Sequence, residues 1–150
     1  MAKKKPMPIG IEDFKKLREN YCFVDKTRFI QELLDNHGDV TLMTRPRRFG
    51  KTLTLSMLQY FFTLENGEEN RKLFEGLDIE KAGEEYMAEQ GTRPVIFLTL
   101  KDVQQMNWSD TLDKMGIAMS MLYEGYEFLA TSSKLNEKDH SFFLSIGQMP

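Results

Sequence analysis

Val40-Thr41-Leu42-Met43-Thr44-Arg45-Pro46-Arg47-Arg48-Phe49-Gly50-Lys51-Thr52 is the stretch that governs how this chain reads. An apolar run, 40–43, leads into an arginine-rich loop that ends in Gly-Lys-Thr. An amphipathic stretch from Leu53 to Phe62 follows. Strand, Gly-Lys-Thr loop and helix, in that order, form the layout of a loop that cradles phosphate. The first N–H groups of a helix have no intrahelical acceptor, and that end carries partial positive charge. An anion is favoured there, and a lysine adds a full charge.

The usual phosphate-loop pattern is G-x-x-x-x-G-K-[ST]. Gly50, Lys51 and Thr52 match its end, but Arg45 stands where the first glycine belongs. Arginine cannot make that glycine's tight turn cheaply, and Pro46 fixes its own φ and lacks an N–H. The lead-in must therefore differ from the standard one. Donors from Arg47, Arg48, Phe49, Gly50, Lys51 and Thr52 can still wrap a β-phosphate. Lys51 is expected to reach the β- and γ-phosphates, Thr52 to ligate Mg²⁺, and Gly50 to let the backbone approach.

Outward from the loop, helices alternate with apolar runs. Ile11, Phe14 and Leu17 share a helical face, and Tyr21-Cys22-Phe23-Val24 reads as a short strand. Asp25 is placed to N-cap a helix carrying Phe29, Ile30, Leu33 and Leu34, which Asn36-His37-Gly38 closes. After Phe62, Glu65-Asn66-Gly67 breaks the helix, and short helices are expected near 68–74 and 83–90. Val95-Ile96-Phe97-Leu98-Thr99-Leu100 reads as a buried parallel strand. Ser109 is expected to cap a helix with Leu112, Met115, Met119, Leu122 and Tyr126 on one face, and a last helix spans about 137–146. This alternation predicts an α/β fold: a P-loop NTPase-like three-layer sandwich with a mostly parallel sheet, incomplete at its C-terminal side.

With 150 residues the chain is one domain or part of one, and its 41% apolar content is that of a globular protein. A net charge of −3 gives no global attraction to nucleic acid or anionic membrane. Residues 1–8, with Lys3-Lys4-Lys5, read as a flexible tail. The single Cys22 fits a reducing compartment and is expected in the core. No run approaches the length of a membrane span, so the cytoplasm is the expected location. His37 and His140 are isolated surface residues, Trp108 reads as a packing anchor, and Met115, Met119 and Met121 read as helix packing. The apolar residues Phe142, Phe143, Leu144 and Ile146 lie just before Gly147-Gln148-Met149-Pro150, so the chain reads as a fragment of a longer protein.

The run from Thr44 through Leu53 closely resembles the loop of the AAA-ATPase-like family of bacterial and archaeal proteins. So do Pro8-Ile9-Gly10-Ile11-Glu12-Asp13-Phe14, then Tyr21 with Phe23-Val24-Asp25-Lys26-Thr27, and Leu55 through Phe62. Leu73-Phe74-Glu75-Gly76-Leu77 and Pro94-Val95-Ile96-Phe97-Leu98 resemble later blocks. The missing first glycine then belongs to the family's own pattern. The resemblance makes residues 1–150 the N-terminal portion of an AAA-ATPase-like domain, with its P-loop at 44–52. It implies ATP and Mg²⁺ as cofactors, and ATP hydrolysis by the longer protein, often joined to a nuclease-like domain of the PD-(D/E)XK type. The family's acidic second motif falls after the last helix read here, so hydrolysis by this stretch alone is not expected. Asp102, just past a strand end, is a poor substitute for it. Asp25-Lys26-Thr27 is most simply a cap, or else a wall of the adenine pocket, with Tyr21 or Phe23 stacked on the base. The competing reading is a degenerate, non-hydrolysing nucleotide-binding or interaction domain. A small-molecule kinase is a third, for which no acceptor is indicated.

Overall fold

The computed structural model describes residues 5–101 and 103–147, and the chain divides into two compact units, 1–95 and 96–150. The first unit contains α1 (Phe14–Asn20), α2 (Arg28–Asn36), α3 (Lys51–Phe62), α4 (Gly67–Lys72), α5 (Asp78–Ala82) and α6 (Glu84–Met87). Its core gathers Phe14, Ile30, Met57, Phe61, Phe62, Leu73, Phe74, Leu77, Ile79 and Met87. Aromatic rings dominate it. Phe14 stacks on Phe74 at 5.0 Å and meets Phe23 edge-on at 5.5 Å, while Phe61 meets Phe74 edge-on at 5.1 Å. Such offset and edge-on pairs are the favoured geometry for aromatic quadrupoles.

The helix starts show how local chemistry and packing divide the work. Asp13 caps α1 by accepting from Lys16 N–H at 2.7 Å, so the helix begins after Ile11. Ser56 of α3 accepts the Phe14 N–H at 3.1 Å, which satisfies another open donor of α1 in a buried place. Leu77, before α5, has no side chain able to cap. Its donors are met from the start of α2 instead. Asp78 N–H donates to the Asp25 carboxylate at 2.8 Å, and Ile79 N–H donates to the fully buried Thr27 hydroxyl at 3.0 Å. Asp25 is thus not the N-cap of α2. Thr27 occupies that position, and Asp25 accepts from the Thr27 N–H and hydroxyl in a turn just before it.

The expected α/β, three-layer sandwich with a parallel sheet is overturned. Among the described residues there is no strand, only an isolated parallel bridge between Thr63 and Arg93. Among the described residues, runs 21–24, 40–43 and 95–100 carry strand-like sequences but form no strand. Val40 and Leu42 are 88% and 83% exposed, and Ile96 69%, where a central parallel strand would be buried on both faces. A strand is completed by another strand's N–H and C=O groups, so β-propensity alone does not make one. The helices bury their apolar faces on each other instead: α1 on α3, α2 on α5 and α5 on α6.

Other expectations change with this packing. Cys22 is exposed. The tail expected at 1–8 is tied down in part, since Pro6 C=O accepts from Cys22 N–H and Lys5 Nζ donates to Arg18 C=O. Residues 1–4 and Asp102 lie outside the described residues.

In the second unit, α7 (Trp108–Glu124) packs on α8 (Glu137–Gly147), with Tyr123 and Phe143 rings 4.9 Å apart. Asn107, not Ser109, caps α7, accepting from Asp110 N–H at 2.8 Å. Trp108, Met115 and Met121 are exposed. The His140 ring meets the Ala130 carbonyl and is half-buried, whereas His37 is exposed.

Tyr60 offers a check on the first unit. Its hydroxyl donates to Asp13 at 2.9 Å. Burial, this hydrogen bond and the negative charges of Asp13 and Glu19 push its pKa up to about 12. The folded protein therefore holds this proton at a pH where the unfolded chain, titrating near about 10, has lost it. Stability from Tyr60 is fully present below about pH 10 and is lost as pH rises to about 12. Tyr60→Phe should flatten that alkaline decline in denaturant unfolding; an unchanged decline would place its cause elsewhere.

Candidate functional site

Residues 44–50 run as an irregular segment into α3, and every side chain from Thr44 through Phe49 is exposed. The usual pattern places a glycine's turn at position 45, held here by Arg45, and the structure turns later. Arg48 has φ 69° and Gly50 has φ 74°, both in the left-handed region. This conformation costs a non-glycine residue about 1 kcal/mol, so Arg48 carries strain that a standard loop gives to glycine. Gly50 occupies the N-cap position of α3, and no side chain caps that helix. Its carbonyl accepts from the Thr54 N–H at 2.9 Å and the Thr54 hydroxyl at 3.0 Å. Among the described residues, the donors at Lys51, Thr52 and Leu53 are left open, as at the start of any helix.

Charge is the second property of the loop. Among the described residues, the ion pairs join Lys15 to Glu69, Arg71 to Glu84, Lys81 to Asp78 and Arg93 to Glu89. None involves Arg45, Arg47, Arg48 or Lys51. Four cations therefore crowd one short segment of a chain whose net charge is −3. Lys51 Nζ donates to the Arg45 carbonyl at 2.7 Å, folding back across the loop. Thr52, the expected magnesium ligand, is exposed in the first turn of α3. A cleft of about 430 Å³ beside α1 and α4 is also basic, but three of its four cations, Lys5, Lys15 and Arg18, are engaged. Lys15 pairs with Glu69, and Arg18 donates to the Leu73 and Glu75 carbonyls.

The aromatic candidates for a base-stacking wall separate here. Phe23 is engaged, with Phe14 against its edge and the Arg18 guanidinium 5.6 Å from its ring centre. Tyr21 is half-buried and makes no such ring contact among the described residues.

Residues 8–149 match the family described as Predicted AAA-ATPase. The chain belongs to the AAA-ATPase-like family. The match covers nearly its whole length, so it takes in most of both units of this AAA-ATPase-like chain. Over 81 residues the chain is also 43% identical to a protein of Azotobacter chroococcum mcd 1 described as "Uncharacterized protein in vnfD 5'region". That similarity covers 53% of this chain and 14% of the relative, so the chain corresponds to a small part of that protein. No solved structure matches the chain. No helix among the described residues is long and apolar enough to cross a membrane.

Asp25, in the block before the loop, is accounted for by structure. Burial raises its pKa, but hydrogen bonds from Thr27 N–H, the Thr27 hydroxyl and Asp78 N–H outweigh this. With the charge of Lys81 they hold the carboxyl below its ordinary range. The folded state therefore releases this proton more readily than the unfolded chain, whose carboxyl titrates near about 3.9. The resulting stability is present above that value and is lost as pH falls through the lower folded pKa. Asp25→Ala leaves the Asp78 donor without its partner and should cost about 1–2 kcal/mol. Amide hydrogen exchange at Asp78 and Ile79 should accelerate before global unfolding does; unchanged protection there would refute this long-range cap.

Proposed function

We propose that residues 44–52 and the first turn of α3 bind the phosphates of Mg-ATP, as the nucleotide-binding element of an AAA-like ATPase. The observation that carries this is the group of unneutralised cations at the open N-terminus of α3, at the Gly50-Lys51-Thr52 sequence of an AAA-ATPase-like chain. The donor set suits the ligand. Backbone N–H groups and ammonium and guanidinium groups satisfy phosphate oxygens, while a hydroxyl oxygen is a hard ligand for magnesium. Lys51 would exchange the Arg45 carbonyl for phosphate oxygens, Thr52 would hold the metal, and Arg47 and Arg48 would offset the remaining charge. Phe49 and Gly50 complete the backbone of this cradle. Bound magnesium would neutralise charge across the β- and γ-phosphates.

Titration with a fluorescent ATP analogue, with and without Mg²⁺, tests this. Saturable binding that unlabelled ATP displaces is expected. No binding at millimolar nucleotide by the folded chain would overturn it.

A further inference from the structure

We propose that Lys26, from the segment before α2, is a further phosphate-binding cation of this site. The inference rests on the nucleotide-binding reading above and extends it to a residue outside the loop. Lys26 Nζ lies 3.8 Å from where a Cβ would stand on Gly50, so its ammonium sits against the backbone at the start of α3.

Two features show that this is more than a passing surface lysine. The first is that its backbone is held on both sides. Asp25 accepts from the Thr27 N–H at 2.9 Å, and the Thr27 hydroxyl and Asp25 together cap α5. Thr27 itself is fully buried, and Lys26 C=O accepts from Phe29 N–H at 3.1 Å. Only the side chain is left to move, which lowers the ordering cost of binding.

The second is that its charge is unanswered. Lys26 makes no ion pair or side-chain hydrogen bond among the described residues. The adjacent Asp25 carboxylate receives the Thr27 and Asp78 donors, and Lys81 pairs with Asp78. An ammonium brought to four loop cations without a carboxylate adds like-charge repulsion. A polyanion at the same place converts that repulsion into attraction. Gly50 has a matching role, since a side chain there would need a left-handed φ and would stand directly against the Lys26 ammonium.

The test is competition between the fluorescent ATP analogue and inorganic tripolyphosphate, which carries the phosphate chain without the base. Lys26→Gln should weaken both ATP and tripolyphosphate by about tenfold, the worth of one charge-assisted hydrogen bond. Lys26→Arg should restore most of the affinity. The thermal midpoint of both variants should match that of the unchanged protein, because the side chain holds no structural partner. A binding loss without change in melting separates a phosphate contact from a folding defect. If Lys51→Ala loses ATP while Lys26→Gln keeps full affinity, the Lys26 inference falls and the loop assignment stands. If ATP weakens but tripolyphosphate does not, Lys26 does not meet the phosphates. If the unchanged protein binds neither, the site and Lys26 fall together.

Discussion

Lys51→Ala should lower the affinity for Mg-ATP by about 30-fold or more. Two charge-assisted hydrogen bonds from one ammonium to phosphate oxygens contribute about 1.5–3 kcal/mol each. Against that stands the Arg45 carbonyl contact that Lys51 gives up, a net hydrogen bond of about 1 kcal/mol. The difference still exceeds the ~1.4 kcal/mol that makes a factor of ten. Because Lys51 is exposed and its loss removes only the Arg45 carbonyl contact, folding stability should fall by about 1 kcal/mol or less. Calorimetric or fluorescence titration beside a thermal melt reads both quantities. Equal affinity in the variant would remove the phosphate-loop assignment.

Phe14→Ala should have the largest effect on folding, about 3–5 kcal/mol. Phe14 is fully buried and meets Phe23, Tyr60 and Phe74, so the vacated space opens where α1, α3 and the 73–77 turn converge. Its own N–H is also the donor that Ser56 accepts. A domain's whole stability is about 5–15 kcal/mol, so the variant should be unfolded in a substantial fraction or melt roughly 15 °C lower. Phe14→Leu, which keeps most of the volume, should recover much of the loss. Urea unfolding of the three proteins would show it. A cost below about 1 kcal/mol for the alanine variant would mean that these rings do not hold the unit together.

Legibility in the sequence followed the range of the interaction. Helices α1, α2, α3, α7 and α8 are readable because their signals are local: Ile11, Phe14 and Leu17 at helical spacing for α1, Asn36-His37-Gly38 closing α2, and apolar residues at helical spacing in the others. Helix α5 was missed for the same reason. Leu77 offers no cap, and the groups that serve α5 stand 52 and 53 residues earlier, at Thr27 and Asp25. Asp25 was therefore assigned to the wrong helix. Cys22 and Trp108 were expected inside on residue type alone, yet both are exposed, because burial depends on what packs nearby.

The loop divides along the same line. Gly50-Lys51-Thr52 at the start of a helix, the arginines before it and the resemblance to the AAA-ATPase-like family were all in the sequence by itself. They rest on residue identity and short spacing. The tertiary structure alone decided that the left-handed turn falls at Arg48, that Lys51 folds onto Arg45 and that Lys26 reaches Gly50. It alone decided, too, that 40–43 and 95–100 form no strand among the described residues while helix packs on helix. A helix completes its hydrogen bonds within its own residues, so sequence can announce it. A strand completes its own only through a partner far along the chain.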